Sequence, residues 1–133
     1  MADLLEQYRD VAPRGTVDFL RRLGERVAGR SMLHVNSTRS GGGVAEILQR
    51  LLPLLQEVGI KTRWEVIAGS DRFYRTTKSF HNALQGTKQR FTPDMLEAYL
   101  ECNRENIKRL NLDADVAMIH DPQPAALIDA RPR

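Results

Sequence analysis

Three consecutive glycines, Gly41, Gly42 and Gly43, stand where a short β-like run hands over to a long apolar periodic segment. Before them, "SMLHVNS" from Ser31 to Ser37 is mixed in apolar and β-branched residues and bounded by polar turn formers, which predicts a strand. After them, Val44, Ile47, Leu48, Leu51, Leu52, Leu55 and Val58 recur at helical spacing, and Gly59 sits where a left-handed C-terminal cap belongs. Pro53 lies inside this stripe without shifting its phase, so it is expected to bend the helix rather than end it. A tight turn needs one glycine; three give up more backbone entropy than a turn requires. A strand, a side-chain-free loop and a helix in that order constrain the chain to folds built from βα units.

The same alternation continues. "TRWEVIAG", Thr62 to Gly69, predicts a second strand, and "DADVAMIH" a third over Ala114 to Ile119. Leu4, Leu5, Tyr8 and Val11 suggest a short first helix stopping before Pro13, and Thr16 is placed to cap a second carrying Val17, Leu20, Leu23 and Val27. From Ser70 to Gln85, Phe73, Thr77, Phe80 and Leu84 mark a buried stripe, while Tyr74, Lys78, His81 and Gln85 form a second, polar one. Thr92-Pro93 opens a further helix with Leu96, Leu100, Ile107 and Leu110 on its apolar face, and Pro124 begins a closing helix. Asn103 intrudes on that apolar face, either as a satisfied core amide, the reading we favour, or as a ligand contact.

The order β-α-β-α-α-β-α predicts an α/β fold: a mostly parallel sheet with helices on both faces. In such folds ligands sit outside the carboxyl ends of the strands, where the strand order reverses. Gly41 to Gly43 and His120-Asp121 both fall at strand carboxyl ends and are expected to face one cleft. A helix N-terminus offers unpaired N–H groups and the positive end of the helix dipole, so glycines there admit a phosphate or a sugar. "STRSGGGVAE" is neither a dinucleotide-binding G-x-G-x-x-G nor a Walker A loop, and spacing alone leaves a merely mobile loop equally open.

Length and charge narrow the class further. The 133 residues make one domain with one core. Twenty Lys and Arg against 17 Asp and Glu, interspersed without a long single-sign block, are a poor footprint for a nucleic-acid binder. Cys102 is the only cysteine, so no intramolecular disulfide, zinc cluster or Cys-x-x-Cys pair is available, which fits a reducing cytoplasm. Charges at Asp3, Glu6, Arg9, Asp10, Arg14 and Asp18 break any signal-peptide or membrane-spanning pattern, so a cytoplasmic location with no membrane partner is expected.

Together, "HVNSTRSGGGVAEIL", "TRWEVIAG", "FHNALQG", "NRENI" and "HDPQPAALI" resemble the N-terminal domain of the trehalose glycosyltransferring synthases, or retaining trehalose synthases, from about Ser31 to Ile128. The resemblance implies a Rossmann-like domain, the incomplete N-terminal half of a GT-B fold. It also implies transfer of glucose from a nucleoside diphosphate glucose to free glucose, giving trehalose with retention and without a metal or other cofactor. In that family this half supplies most of the acceptor pocket, and a second domain, lacking here, holds the nucleotide and reads its base. Carried over by position, Gly41, Gly42 and Gly43 would approach the donor diphosphate, and His120 would border the reacting sugar. Asp121 and Gln123 would bond sugar hydroxyls, with Asp121 as covalent nucleophile the weaker reading. Asn36, His81, Asn82 and Gln85 resemble the acceptor side. No general base is assigned, because the departing phosphate oxygen is expected to take the acceptor proton, leaving positioning and charge stabilisation to carry the rate. A sheet ending at Arg133 is expected to leave an open edge that pairs with a second copy, making a homodimer or higher oligomer. The competing reading is a non-catalytic Rossmann-like module that binds a sugar or phosphate or assembles with a partner.

Overall fold

All three strands run parallel. In the computed structural model, which describes residues 3–130, β1 (Ser31–Asn36) is central, with β2 (Lys61–Val66) on one side and β3 (Val116–Ile119) on the other. Register pairs Ser31 with Lys61 through Asn36 with Val66, and Met32 with Val116 through Val35 with Ile119. The chain steps from β1 to β2 in one direction and returns past β1 to reach β3, so the strand order reverses between β1 and β3. That is the topological switch point at which open α/β sheets take their ligands.

Period-two alternation sends β1 side chains to two different layers. Leu33 and Val35 are fully buried and join Ile67, Phe73, Cys102, Leu110 and Leu127 in the main core, under α3 (Asp71–Leu84), α4 (Pro93–Arg109) and a closing 3₁₀ turn (Ala125–Ala130). His34 and Asn36 point to the opposite face, which α2 (Gly43–Glu57) covers through Ala45 and Leu48, with Gln56 bonded to Thr62 of β2 at 2.8 Å. α1 (Thr16–Val27) meets the end of α2, where Gly24 lies against Val58; the backbone N–H groups of Leu4 and Leu5 donate to the Glu57 carboxylate and tie the N-terminal segment to the same end.

Several expectations shift in detail. The first helix is a single 3₁₀ turn, Glu6–Tyr8, and the closing helix is also 3₁₀, each too short to sustain α-helical bonding. Thr16 is the first residue of α1, behind a Gly15 cap, rather than the cap itself. The second and third strands end at Val66 and begin at Val116, because Ala68 and Asp115 spend their backbone groups on Asn106 and Ser31. α2 runs through Pro53 unbroken, and Gly59 follows it with φ 92°, as its position predicts.

The largest correction concerns α4. Leu96 and Leu100, expected on its apolar face, are 46% and 37% exposed, whereas Asn103 and Asn106 are 1% and 2% exposed. The helix turns its asparagines inward, Asn106 onto Ala68 and Asn103 through Nδ2 onto the Gln123 carbonyl, so Asn103 is a core amide as favoured from the sequence, with its Oδ1 left without a partner among the described residues. Leu84 of α3, expected in the core, is 76% exposed.

Candidate functional site

The two loops that flank the switch point are built in different ways. On the β1 side, Asn36 closes the strand with both ends of its amide engaged: Oδ1 accepts from Trp64 Nε1 at 2.8 Å and Nδ2 donates to the Thr38 carbonyl at 2.8 Å. Thr38 Oγ1 then donates to the Ser40 carbonyl, and Gln49 of α2 donates to the Arg39 carbonyl at 3.2 Å. The Arg39 guanidinium lies over the Trp64 ring, 4.4 Å from its centroid. Trp64, Arg39 and Gln49 therefore hold the loop, and none was singled out from the sequence; the single tryptophan in the strand beside the loop was the available signal.

The glycines finish the loop. Gly41 has φ 73°, a left-handed conformation that excludes most side chains, and accounts for one glycine on backbone grounds. Gly42 is extended, and a Cβ there would meet only the Thr38 methyl at 3.9 Å; at Gly43, the first residue of α2, it would meet nothing within 4 Å. Neither is demanded by internal packing. α2 also begins with no side-chain cap, whereas Ser70 caps α3 and Thr92 caps α4. Its first N–H groups are left to whatever occupies the crevice.

On the β3 side, the His120 backbone N–H continues the ladder onto the Val35 carbonyl at 2.9 Å. The next residue, Asp121, has φ 66°, the only non-glycine in the left-handed region among the described residues. Such conformations persist where the surroundings over-determine them, often at functional sites. α4 supplies that determination: Tyr99 Oη donates to the Pro122 carbonyl at 2.9 Å and accepts from the Ala126 N–H at 3.1 Å, and Asn103 Nδ2 donates to the Gln123 carbonyl at 3.1 Å. Asp121 is exposed, while Gln123 is half-buried with its Oε1 sealed from solvent and without a partner among the described residues.

The side chains meet beneath this turn. His120 Nε2 lies 3.0 Å from His34 Nδ1, with the rings stacked at 5.3 Å and 14°. Burial pushes both imidazoles below their ordinary range, assisted for His34 by His120 and opposed for His120 by the Asp121 carboxylate. Both are neutral donors and acceptors at neutral pH.

The expected site residues thus divide into two groups. Asn36, Gly41, Gly42, Gly43, His120, Asp121 and Gln123 all lie at the β1 and β3 carboxyl ends. His81, Asn82 and Gln85 lie at the far end of α3, where Gln85 Nε2 bonds His81 Nε2 at 2.9 Å across one helical turn. α4 descends antiparallel to the strands, bonding Pro122 through Tyr99, Ala68 through Asn106 and Val66 through Arg109. The α3–α4 hairpin, packed through Phe80, Phe91 and Tyr99, therefore overhangs the carboxyl edge. No hydrogen bond or ring contact joins the His81–Gln85 pair to His120 or the glycine loop among the described residues.

An open three-stranded parallel sheet flanked by helices, with a side-chain-free helix start on one side of its switch point and a neutral imidazole and a carboxylate on the other, defines a Rossmann-like α/β domain, consistent with part of a GT-B half. The sequence profile described as "Trehalose synthase, N-terminal domain" matches residues 34–133, and the chain belongs to that family. It is 50% identical over 127 residues to a trehalose synthase of Pyrococcus horikoshii, covering 94% of this chain and 31% of that protein. A trehalose synthase of Rubrobacter xylanophilus is 40% identical over 124 residues, covering 91% of this chain and 30% of the relative. A trehalose phosphorylase of Pleurotus pulmonarius is 30% identical over 141 residues, 96% of this chain and 19% of that protein. The chain thus spans less than a third of the length of these relatives. Among the described residues no helix is long and apolar enough to cross a membrane, and no three His, Cys, Asp or Glu side chains gather into a metal-binding group.

Proposed function

We propose that this chain is the acceptor-side half of a retaining glucosyltransferase that joins the glucose of a nucleoside diphosphate glucose to free glucose, forming trehalose in the cytoplasm. One observation carries the reading: Gly42 and Gly43 answer no internal steric need, yet they form an uncapped helix start beside His120 at the switch point. The positive end of α2 suits a diphosphate, whose growing negative charge it opposes as the leaving group departs. His120 and Asp121 border the transferred sugar, with Gln123 two residues beyond Asp121 on the same turn. His81, Asn82 and Gln85, on the overhanging hairpin, face the acceptor. Asn36, buried and engaged at both ends of its amide, serves this site through the loop it anchors. The reaction uses no metal, so chelation leaves its rate unchanged.

Donor and direction are the finer part of the proposal, because relatives named trehalose synthase and trehalose phosphorylase both match this domain. The test is an assay of the complete enzyme with ADP-, UDP- or GDP-glucose and glucose, and separately with trehalose and inorganic phosphate. Trehalose formed from a nucleoside diphosphate glucose supports the reading; phosphorolysis alone replaces the donor, and inactivity in both directions leaves a non-catalytic binding module. Within the active enzyme, His120→Ala lowers kcat by about two orders of magnitude, the scale of one lost preorganised contact. An unchanged kcat removes His120 from the site. The 133-residue chain alone is inactive, since closure around the donor needs both halves.

A further inference from the structure

His120 does not stand alone at the β3 end. Its Nε2 is 3.0 Å from Nδ1 of His34, a residue of the central strand that is 0% exposed and whose own Nε2 has no partner. Neither ring takes any other hydrogen bond among the described residues, so the pair is a closed question of where one hydrogen sits.

Two neutral arrangements are available. If His120 donates its Nε2 hydrogen, His34 accepts at Nδ1 and must carry its hydrogen on Nε2, an N–H donor sealed in the interior with nothing to receive it. If His34 donates from Nδ1, its orphaned Nε2 is a bare lone pair. Buried N–H donors without acceptors are rarer in folded proteins than under-used acceptors, and an unmade donor bond bears the full desolvation cost. A doubly protonated His34 is disfavoured by the same burial. The geometry points to His34 as a positioning residue for His120: its Nδ1–H donates to His120 Nε2, so that His120 carries its hydrogen on Nδ1 and presents it to the crevice as a donor to a sugar oxygen.

The rest of the local structure agrees with a fixed orientation. His120 Nδ1 has no partner among the described residues and is not sealed off, so its hydrogen is available. The ring is clamped at two points on one strand, since the His120 N–H bonds the carbonyl of Val35 next to His34. An imidazole free in water favours the opposite tautomer, with hydrogen on Nε2; the buried partner is what reverses the choice. The identity of the oxygen that receives the bond rests on the proposed function, whereas the tautomer does not.

Long-range proton–nitrogen correlation on the 15N-histidine-labelled chain near pH 8 reads the tautomer directly. The expected result is a protonated Nδ1 and a bare Nε2 for His120; a protonated Nε2 overturns the proposal. In His34→Phe the His120 hydrogen moves to Nε2, and in His34→Asn, whose amide nitrogen replaces the Nδ1 donor, it returns to Nδ1. A folded His34→Phe chain with an unmoved tautomer also overturns it, and if His34→Phe fails to fold, the wild-type and His34→Asn spectra decide alone. In the complete enzyme, His34→Phe lowers kcat about 10- to 100-fold, the scale seen when a partner orienting a site histidine is lost, with little change in acceptor KM and recovery in His34→Asn. If His120→Ala leaves kcat intact while the tautomer is as expected, the sugar-site reading fails and the histidine pairing stands.

Discussion

The chain makes the same manoeuvre twice, leaving the carboxyl end of a parallel strand through a glycine-bearing turn into a helix, and finishes the two turns in opposite ways. At the exit of β2, Gly69 is packed so tightly that a Cβ would stand 2.5 Å from Phe73 Cδ1 and 3.1 Å from a Tyr74 ring carbon. Ser70 caps α3, accepting from the Phe73 N–H at 3.2 Å. Asn106 takes both backbone groups of Ala68, at 2.9 and 2.7 Å, and the Cys102 thiol donates to the same carbonyl. Protein atoms satisfy both backbone groups of Ala68 and cap the helix there. At the exit of β1, Gly42 and Gly43 face open space and α2 has no cap. One turn is completed by the fold, and the other is left open, where the proposed donor would complete it. A glycine therefore marks a binding site only when the fold itself does not explain it.

The contrast breaks most visibly if the open turn is filled. Gly42→Val with Gly43→Val lowers kcat/KM of the complete enzyme at least about 100-fold, equivalent to roughly 2.7 kcal/mol of transition-state stabilisation, while the melting temperature moves little. A collapse of stability with normal kinetics in the surviving folded fraction would make this turn a packing element like the other. Asn106→Ala does the reverse. It removes the amide that accepts from the Ala68 N–H and shares the Ala68 carbonyl with the Cys102 thiol, and it costs about 1–3 kcal/mol of stability, read from the urea midpoint. Gly69→Ala forces Phe73 aside and costs about 1–3 kcal/mol in the same measurement; an unchanged midpoint would mean that the second turn is as open as the first. The smallest effect is that of Ser70→Ala, about 1 kcal/mol for a lost helix cap.

The sequence displayed the open turn better than the closed one. Three glycines between a strand pattern and a helical stripe are visible because nothing in the chain answers them, and the βα alternation located them and His120 at strand ends. The closed turn was hidden in α4. Asn103 was legible as a core amide because it intrudes on the apolar stripe, but Asn106 was not singled out, and the stripe was extended to Leu96 and Leu100, although the amides of Asn103 and Asn106 are what the strand exits engage. His34 was passed over for a related reason: a histidine within a strand carries no periodic signal, and its partner is distant along the chain. Asn36 was taken for a sugar contact by position alone, and its bond to Trp64 could not be read without strand register.

That distance governs the order in which the molecule can be made. β1, α2 and β2 form a local unit whose strands pair within about one βα repeat, whereas β3 must return across the whole α3–α4 hairpin to reach β1. Loop closure over such a span comes late, because its entropy is lost before the contact repays it. During synthesis the glycine turn is therefore complete while the opposite wall of the crevice is still absent. His34 and His120 meet across 86 positions of sequence, so the crevice between the two turns exists only once β3 has joined β1, later than the glycine turn that forms its other wall.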